Sequence, residues 1–168
     1  MLTFFLATLG SLFSVVNPLG AVPIYLTLTS ANTVEHREAT ARKTAMWFML
    51  ILVVFFFAGT YILDFFGISL NALRIAGGLI IVNSGYGLLN SKFEERRISE
   101  GVEDEAMEAE DVSFTPMAMP MLSGPGSISL LISLFAQQSE WVSRGLIIGV
   151  IATMALLIWV VLHFAPAL

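Results

Sequence analysis

Several kinds of chemistry are excluded by residues that this sequence lacks. None of its 168 residues is a cysteine, which rules out disulfides and thiol catalysis. It has only two histidines and no acidic residue inside its apolar runs, so it offers no side-chain set for a zinc site. No Gly-x-Ser-x-Gly motif occurs, and neither Ser123 nor Ser127 has a base beside it in the sequence. We therefore expect no enzyme activity, no metal site and no cofactor.

Charge is also scarce, at 12% of the chain, and it is unevenly distributed. Five long stretches carry no charged residue: Met1–Val34, Thr44–Leu63, Ile75–Ser91, Val112–Ser139 and Gly145–Leu168. A helix that crosses a bilayer needs about 20 mostly apolar residues. The hydrophobic content of 57% and the mean hydropathy of +0.83 lie outside the range of soluble domains. These values predict an all-α integral membrane protein, a polytopic bundle with five spans present.

Two proline-broken segments stand at matching places in the two halves of the chain. Asn17–Pro23 and Pro120–Gly126 each carry two prolines five residues apart with a glycine between them, and a shift of 102 residues superimposes these prolines. Proline interrupts a helix because it lacks an N–H group and clashes with the preceding turn. Paired broken segments of this kind are the sequence feature that points to a transporter site. We predict broken helices at spans 1 and 4.

The basic residues predict the orientation of the spans. Six of the eight follow spans 1 and 3: Arg37, Arg42, Lys43, Lys92, Arg96 and Arg97. The positive-inside rule places them in the cytoplasm and the N-terminus outside. The three spans of the first half then make the second half an inverted repeat. We predict a first repeat at 1–91, a cytoplasmic acidic linker at 92–113 and a second repeat at 114–168. That second repeat holds two of three spans, so a sixth span would need about 25–40 further residues.

Three stretches in order carry a family resemblance: Asn17-Pro-Leu-Gly-Ala-Val-Pro-Ile24, Gly67-Ile-Ser-Leu-Asn-Ala-Leu-Arg-Ile-Ala-Gly-Gly78 and Met119-Pro-Met-Leu-Ser-Gly-Pro-Gly126. Together they resemble the MarC family of bacterial and archaeal inner-membrane proteins. The resemblance implies six spans in two inverted three-span halves and a distant relation to LysE-type exporters. For some relatives it also implies transport of neutral amino acids. Only five of these six spans are predicted in this sequence, so we expect it to depart from the family pattern at the sixth.

The leading functional hypothesis is a secondary transporter or exporter of a small neutral metabolite, with small neutral amino acids as candidates. Its substrate-binding residues would come from the two breaks: Asn17, Pro18, Gly20, Pro23, Ser123, Gly124, Pro125 and Gly126. The exposed N–H groups and positive dipole end of a half-helix suit a carboxylate. The competing interpretation treats both motifs as kinks needed only for folding. The alternative function is a non-transporting membrane subunit or structural partner protein.

Span 3 supplies two candidate accessory residues. We expect Asn83 to face the bundle interior, because an unpaired amide is costly in lipid. Arg74 opens the span, either as an anchor at the membrane surface or as a counter-charge for an anionic solute. Small residues such as Gly78 and Gly85, seven positions apart, favour close helix packing within one subunit or between two.

The expected partners are the lipid bilayer, a small solute and, as an open option, a second copy of the chain. We expect no nucleic acid partner.

The coupling of transport to an energy source stays open at this level. No span contains an acidic residue for a carboxylate proton relay. His163 is the only histidine within a span, and its place near the end favours an interfacial role. Facilitated exchange, sodium coupling through unwound carbonyls and proton coupling remain alternatives. A channel is disfavoured because the sequence has no ring of charge and no polar stripe.

Overall fold

A computed structural model describes residues 1–89 and 111–167, and every regular element in these two ranges is helical. The elements are α1 (Leu2–Val16), α2 (Val22–Leu28), α3 (Val34–Phe65), α4 (Leu70–Leu89), a wide-turned π segment (Ser113–Leu122), α5 (Pro125–Gln137), α6 (Trp141–Phe164) and a short 3-10 turn (Ala165–Ala167). By length and composition, α3 and α6 can each cross a membrane. If the bent pair formed by the π segment and α5 counts as one span, the described residues contain three such spans. The predicted linker lies outside these residues except for its last three.

The helix α3 is longer than the apolar run Thr44–Leu63 that predicted it. Its N-cap is Thr33, whose side-chain oxygen accepts a hydrogen bond from the His36 N–H at 3.3 Å. Its 32 residues extend about 48 Å, compared with about 30 Å for the hydrocarbon core. The charged first turns of α3 therefore continue the helix beyond the apolar layer. The first charged residues of α3 indicate where the apolar layer would end, whereas the helix itself begins ten residues before the apolar run.

The core of the bundle lies between α3 and α6. Each helix buries large side chains three or four positions apart, which places them on one face. Those residues are Phe48, Leu52 and Phe56 on α3, and Ile147, Ile151, Met154 and Ile158 on α6. Leu12 of α1, Met117 of the π segment and Leu131 of α5 complete this core. The two broken segments are thus held against the two longest helices.

Two contacts, at different heights along α3, show that the π segment and α5 run in the same direction as α3. Near the start of α3, Lys43 Nζ lies 2.6 Å from Asp111 Oδ2. Further along, the rings of Phe56 and Phe135 are 5.1 Å apart.

Partial burial opposes ionisation of Asp111. Hydrogen bonds from Lys43 and Ser113 outweigh that effect and lower the pKa of Asp111 to about 2.

The helix α6 runs in the opposite direction to α3, and α1 begins where α6 begins. His163 Nδ1, near the end of α6, lies 3.2 Å from Glu38 Oε1 in the first turns of α3. Near the start of α6, a Cβ placed on Gly149 would lie 3.7 Å from the Phe5 ring. The first residues of α1 are therefore at the end of the bundle opposite to the charged turns of α3.

Arg37 closes the corner between α2 and α3. Its Nε donates to the Thr29 carbonyl at 2.8 Å, and its terminal nitrogen donates to the Ser30 carbonyl at 2.9 Å. Its own carbonyl accepts a hydrogen bond from the buried Tyr25 hydroxyl at 2.8 Å. A cation that caps the last carbonyls of a helix also complements the helix dipole. Arg37 thus fixes the direction in which the chain leaves the first broken segment.

The helix α4 packs on α5 through small and polar residues. Ser129 Oγ donates to the Leu73 carbonyl at 3.1 Å, and Arg74 Nε donates to Ser133 Oγ at 3.3 Å. Gly77 is buried against Ser129, and a Cβ on Gly77 would overlap that side chain. Close approach of the two helices therefore depends on glycine at this position. Arg74 has a partner on the neighbouring helix.

Asn83 is exposed, so the prediction that it faces the bundle interior is wrong. Ile81 contacts α5, where its Cγ1 lies 3.0 Å from a Cβ placed on Gly126. At about 100° per residue, Asn83 is about 200° around the helix from Ile81 and thus on the opposite side. A Cβ placed on Gly78 or Gly85 would have no atom of the described residues within 4 Å, so these two glycines have no packing partner in residues 1–89 and 111–167.

Candidate functional site

The first break is a tight turn between α1 and α2. Asn17 ends α1 in the left-handed conformation, with φ 47° and ψ 64°, while its N–H donates to the Phe13 carbonyl at 2.9 Å. Asparagine adopts this region more readily than most residues. The Gly20 N–H then donates to both oxygens of Asn17, at 3.0 Å to the carbonyl and 3.3 Å to the side chain. Helix resumes at Val22, with Pro23 in its first turn.

The predicted residues of the first break differ in exposure. Pro18 is buried and holds the turn against the bundle. Asn17 is half-buried, whereas Gly20 and Pro23 are exposed. The accessible side of this break therefore presents the glycine backbone with the asparagine amide beside it.

The second break extends over the π segment and the start of α5. Thr115 (φ −115°, ψ 125°) and Met119 (φ −136°, ψ 128°) have extended backbone, and each directly precedes a proline in a cis peptide bond. Gly124 is also extended, and Pro125 opens α5. The axes of the two helical pieces differ by 64°. The break predicted at Pro120–Gly126 is present and includes an irregular segment before it.

Polar groups collect where α5 begins. Ser123 is 1% exposed, and its hydroxyl has no hydrogen-bond partner among the described residues. An unsatisfied buried hydroxyl of this kind costs about 1–3 kcal/mol. Ser127 Oγ donates to the Gly124 carbonyl at 2.9 Å. The backbone N–H groups of Gly126 and Ser127 lie in the first turn, where a helix has no carbonyl to offer them. The break thus presents a hydroxyl and two N–H groups without helical partners.

The end of α1 and the start of α5 approach each other at Gly126. A Cβ on this buried glycine would lie 3.2 Å from Val15 Cγ1, two residues before Asn17. On another side it would meet Ile81 of α4. The start of α5 is therefore brought to the end of α1, with α4 beside both. Among the described hydrogen bonds, none joins Asn17 to Ser123.

Sequence reasoning missed the apolar contacts of this region and the role of Ser127 at the break. Val15 and Ile81 could not be identified because their partner, Gly126, is distant in sequence. The sequence did carry a signal for the serines, because four of them stand in two pairs spaced by four residues, and the structure buries all four. They are Ser123 and Ser127 at the break, and Ser129 and Ser133 facing α4.

A separate cavity of about 310 Å³ lies at the end of the bundle that holds the charged turns of α3. It is lined by Tyr25, Val34, Arg37, Glu38, His163, Phe164 and Pro166. His163 Nδ1 and the Glu38 carboxylate approach to 3.2 Å there without hydrogen-bond geometry. This cavity includes none of the residues predicted for solute binding. His163 is placed at the end of a helix, as the sequence predicted.

The family profile of MarC family integral membrane proteins matches residues 2–168. The UPF0056 membrane protein YvbG of Bacillus subtilis is 41% identical over 140 residues, which are 83% of this chain and 66% of that protein. The UPF0056 membrane protein MJ1677 of Methanocaldococcus jannaschii is 35% identical over 147 residues, covering 88% and 71% of the two chains.

The UPF0056 membrane protein YhcE of Escherichia coli is 32% identical over 158 residues, covering 92% of this chain and 72% of that protein. The chain thus spans about two thirds of the length of these curated relatives. No solved structure matches the chain.

Proposed function

We propose that this chain, which belongs to the MarC family of integral membrane proteins, forms a secondary transporter for a small neutral metabolite. Small neutral amino acids are the first candidates. The relatives' names describe them as membrane proteins and name no solute. One observation supports transport above all. The helix α1 ends at the first break and α5 begins at the second, and these two helix ends lie in contact at Gly126.

In this proposal the solute's carboxylate binds at the start of α5. The N–H groups of Gly126 and Ser127 and the positive end of the helix dipole favour an anionic group there. The unpartnered hydroxyl of Ser123 and the half-buried amide of Asn17 would hydrogen-bond the remaining polar groups of the solute. Gly124 would let the solute approach the backbone closely, as Gly20 would in the first break.

We further propose that the two broken segments belong to inverted halves of one transport unit. Support comes from their directions. The start of α1 lies beside Gly149, whereas the residues just before the π segment lie beside Lys43 at the opposite end. The charged turns of α3 would face the cytoplasm of the bacterial inner membrane, with the N-terminus outside. Such an arrangement allows alternating access by rocking one half against the other.

Uptake by proteoliposomes tests the proposed function. We expect saturable uptake of labelled glycine, alanine or serine, and its loss in the double variant Pro18→Ala/Pro125→Ala. Without these prolines, both breaks can relax towards continuous helix and withdraw their free backbone groups. Pro166→Ala is the matched control, because Pro166 is an exposed proline outside both breaks, and we expect wild-type uptake.

Two results would count against this function. Unchanged uptake by the double variant would separate transport from the broken helices. No uptake of any of the three amino acids by folded, inserted protein would remove them as solutes and favour a role as a non-transporting membrane subunit.

A further inference from the structure

We propose that the second helix break binds a sodium ion between the end of the π segment and the start of α5. The site would be formed by carbonyl and hydroxyl oxygens of residues 120–127. It deepens the proposed transport function by naming a coupling ion. Only the coupling role rests on that function, because binding of the ion can be measured without any solute.

Several oxygen atoms converge at this break. Ser127 Oγ lies 2.9 Å from the Gly124 carbonyl oxygen and 3.5 Å from the Leu122 carbonyl oxygen. Because a hydroxyl carries one hydrogen, Ser127 can fully satisfy only one of the two. Ca²⁺, which has nearly the radius of Na⁺, takes oxygen ligands at about 2.3–2.6 Å, so neighbouring ligands lie about 3–3.7 Å apart. Of the two separations from Ser127 Oγ, the one of 3.5 Å lies within this range and the one of 2.9 Å lies just below it.

Gly124 lies beside a fourth oxygen at this break. A Cβ on Gly124 would lie 3.0 Å from the Pro120 carbonyl oxygen, its one contact within 4 Å among described residues other than its two chain neighbours. A side chain at this position would occupy the space that a carbonyl faces. Because Gly124 has no side chain, it places no atom in front of the Pro120 carbonyl.

Ser123 supplies a buried oxygen to which no described protein group hydrogen-bonds, and its hydrogen would stay free to donate to the proposed solute. Its hydroxyl is buried and makes no hydrogen bond within the described part of the chain. Buried polar groups in folded proteins are rarely left unpaired, and an ion or other ligand is one recognised reason for an exception. Ser123 lies directly between Leu122 and Gly124, whose carbonyls belong to the oxygen cluster.

The electrostatics of a broken helix favour a cation on one side of this break and a carboxylate on the other. The carbonyls at the end of the π segment lie at a negative helix end, whereas the N–H groups of α5 lie at a positive one. Unwound carbonyls coordinate Na⁺ in transporters whose half-helix N-termini bind anionic solute groups. Sodium and a bound carboxylate would therefore each strengthen the binding of the other by the same factor.

The ligand chemistry favours a singly charged ion. All the oxygens in the cluster are neutral, and no acidic residue occurs between Val112 and Ser139. Protein sites for Ca²⁺ and Mg²⁺ normally include carboxylates. A cluster of carbonyls and hydroxyls alone is better matched to Na⁺.

Sodium binding is tested by the thermal stability of the full chain in detergent. Because the ligand binds the folded state, we expect Tm to rise with NaCl along a saturation curve and not with choline chloride at equal ionic strength. Ser123→Ala should raise the Kd for Na⁺ about tenfold or more, a loss typical of altering a metal's ligand environment. Ser113→Ala is the matched control, because Ser113 is also a buried serine but lies at the far end of the π segment. It should keep the wild-type Kd.

Equal stabilisation by NaCl, KCl and choline chloride would overturn the sodium site, as would an unchanged Kd in Ser123→Ala. Direct binding of radioactive sodium to the wild-type protein keeps the inference testable if Ser123→Ala fails to fold, and absence of binding would overturn it. Sodium binding without amino acid uptake would leave the site in place and reject the proposed solutes. Uptake without sodium binding would reject the site and leave transport.

Discussion

Replacing Gly77 with leucine is expected to detach α4 from α5 and lower the free energy of unfolding by about 3 kcal/mol. A Cβ at this position already overlaps Ser129, and leucine adds three more carbon atoms. Separating the helices would also break the Ser129 hydrogen bond to the Leu73 carbonyl and the Arg74 hydrogen bond to Ser133. In lipid, where apolar burial does not drive helix association, such close packing and polar contacts hold helices together.

The neighbouring glycine provides the control. In the described part of the chain, no atom lies within 4 Å of a Cβ placed on Gly78, so Gly78→Leu is expected to change the unfolding free energy by less than about 0.5 kcal/mol. Unfolding by SDS in mixed micelles, followed by tryptophan fluorescence, measures both variants. Equal destabilisation by the two substitutions would show that α4 does not present its Gly77 face to α5.

Replacing Gly124 with leucine is expected to weaken solute binding at least about 100-fold, a loss near 2.7 kcal/mol. The side chain would fill the space that the Pro120 carbonyl faces and block approach to the start of α5. The same change at Gly20, the exposed glycine of the first break, is expected to abolish binding as well. At Gly124 the effect follows from loss of access to the backbone. At Gly20 the added side chain would also collide with the Asn17 amide and displace it.

Gly145→Leu is the control for these two variants. Gly145 lies near the start of α6, and a Cβ there would have no neighbour within 4 Å among the residues that the structure describes. We expect wild-type affinity in equilibrium binding of labelled solute to the purified protein. Normal binding by both the Gly20 and Gly124 variants, shown to be folded, would reduce the two breaks to structural kinks.

The positions of both breaks could be predicted because their causes are local. Proline removes an N–H group wherever it stands, so α1 ends just before Pro18 and α5 starts at Pro125. The all-helical membrane class followed equally directly from the long uncharged runs. These inferences need only the composition of a single segment.

Features that depend on distant partners could not be predicted. The exposure of Asn83 is decided by which face of α4 meets α5, and a nearly uniform apolar sequence does not reveal that face. The contact of Gly126 with Val15 joins residues from different halves of the chain. The unpartnered hydroxyl of Ser123 becomes visible only once all its neighbours are placed. The sequence-predicted binding residues therefore identified the breaks but not the contacts between them.

The absence of cysteine allows a direct test of whether the two breaks form one solute site. Single variants Leu19→Cys and Met119→Cys place a thiol in each break, at side chains that are 56% and 36% exposed. Trp141→Cys, at a 74% exposed position before α6, is the control. We expect bound solute to slow thiol modification in both breaks with the same half-maximal concentration, and to leave the control unaffected. Protection of only one break, or of neither under conditions of saturable uptake, would contradict a shared site.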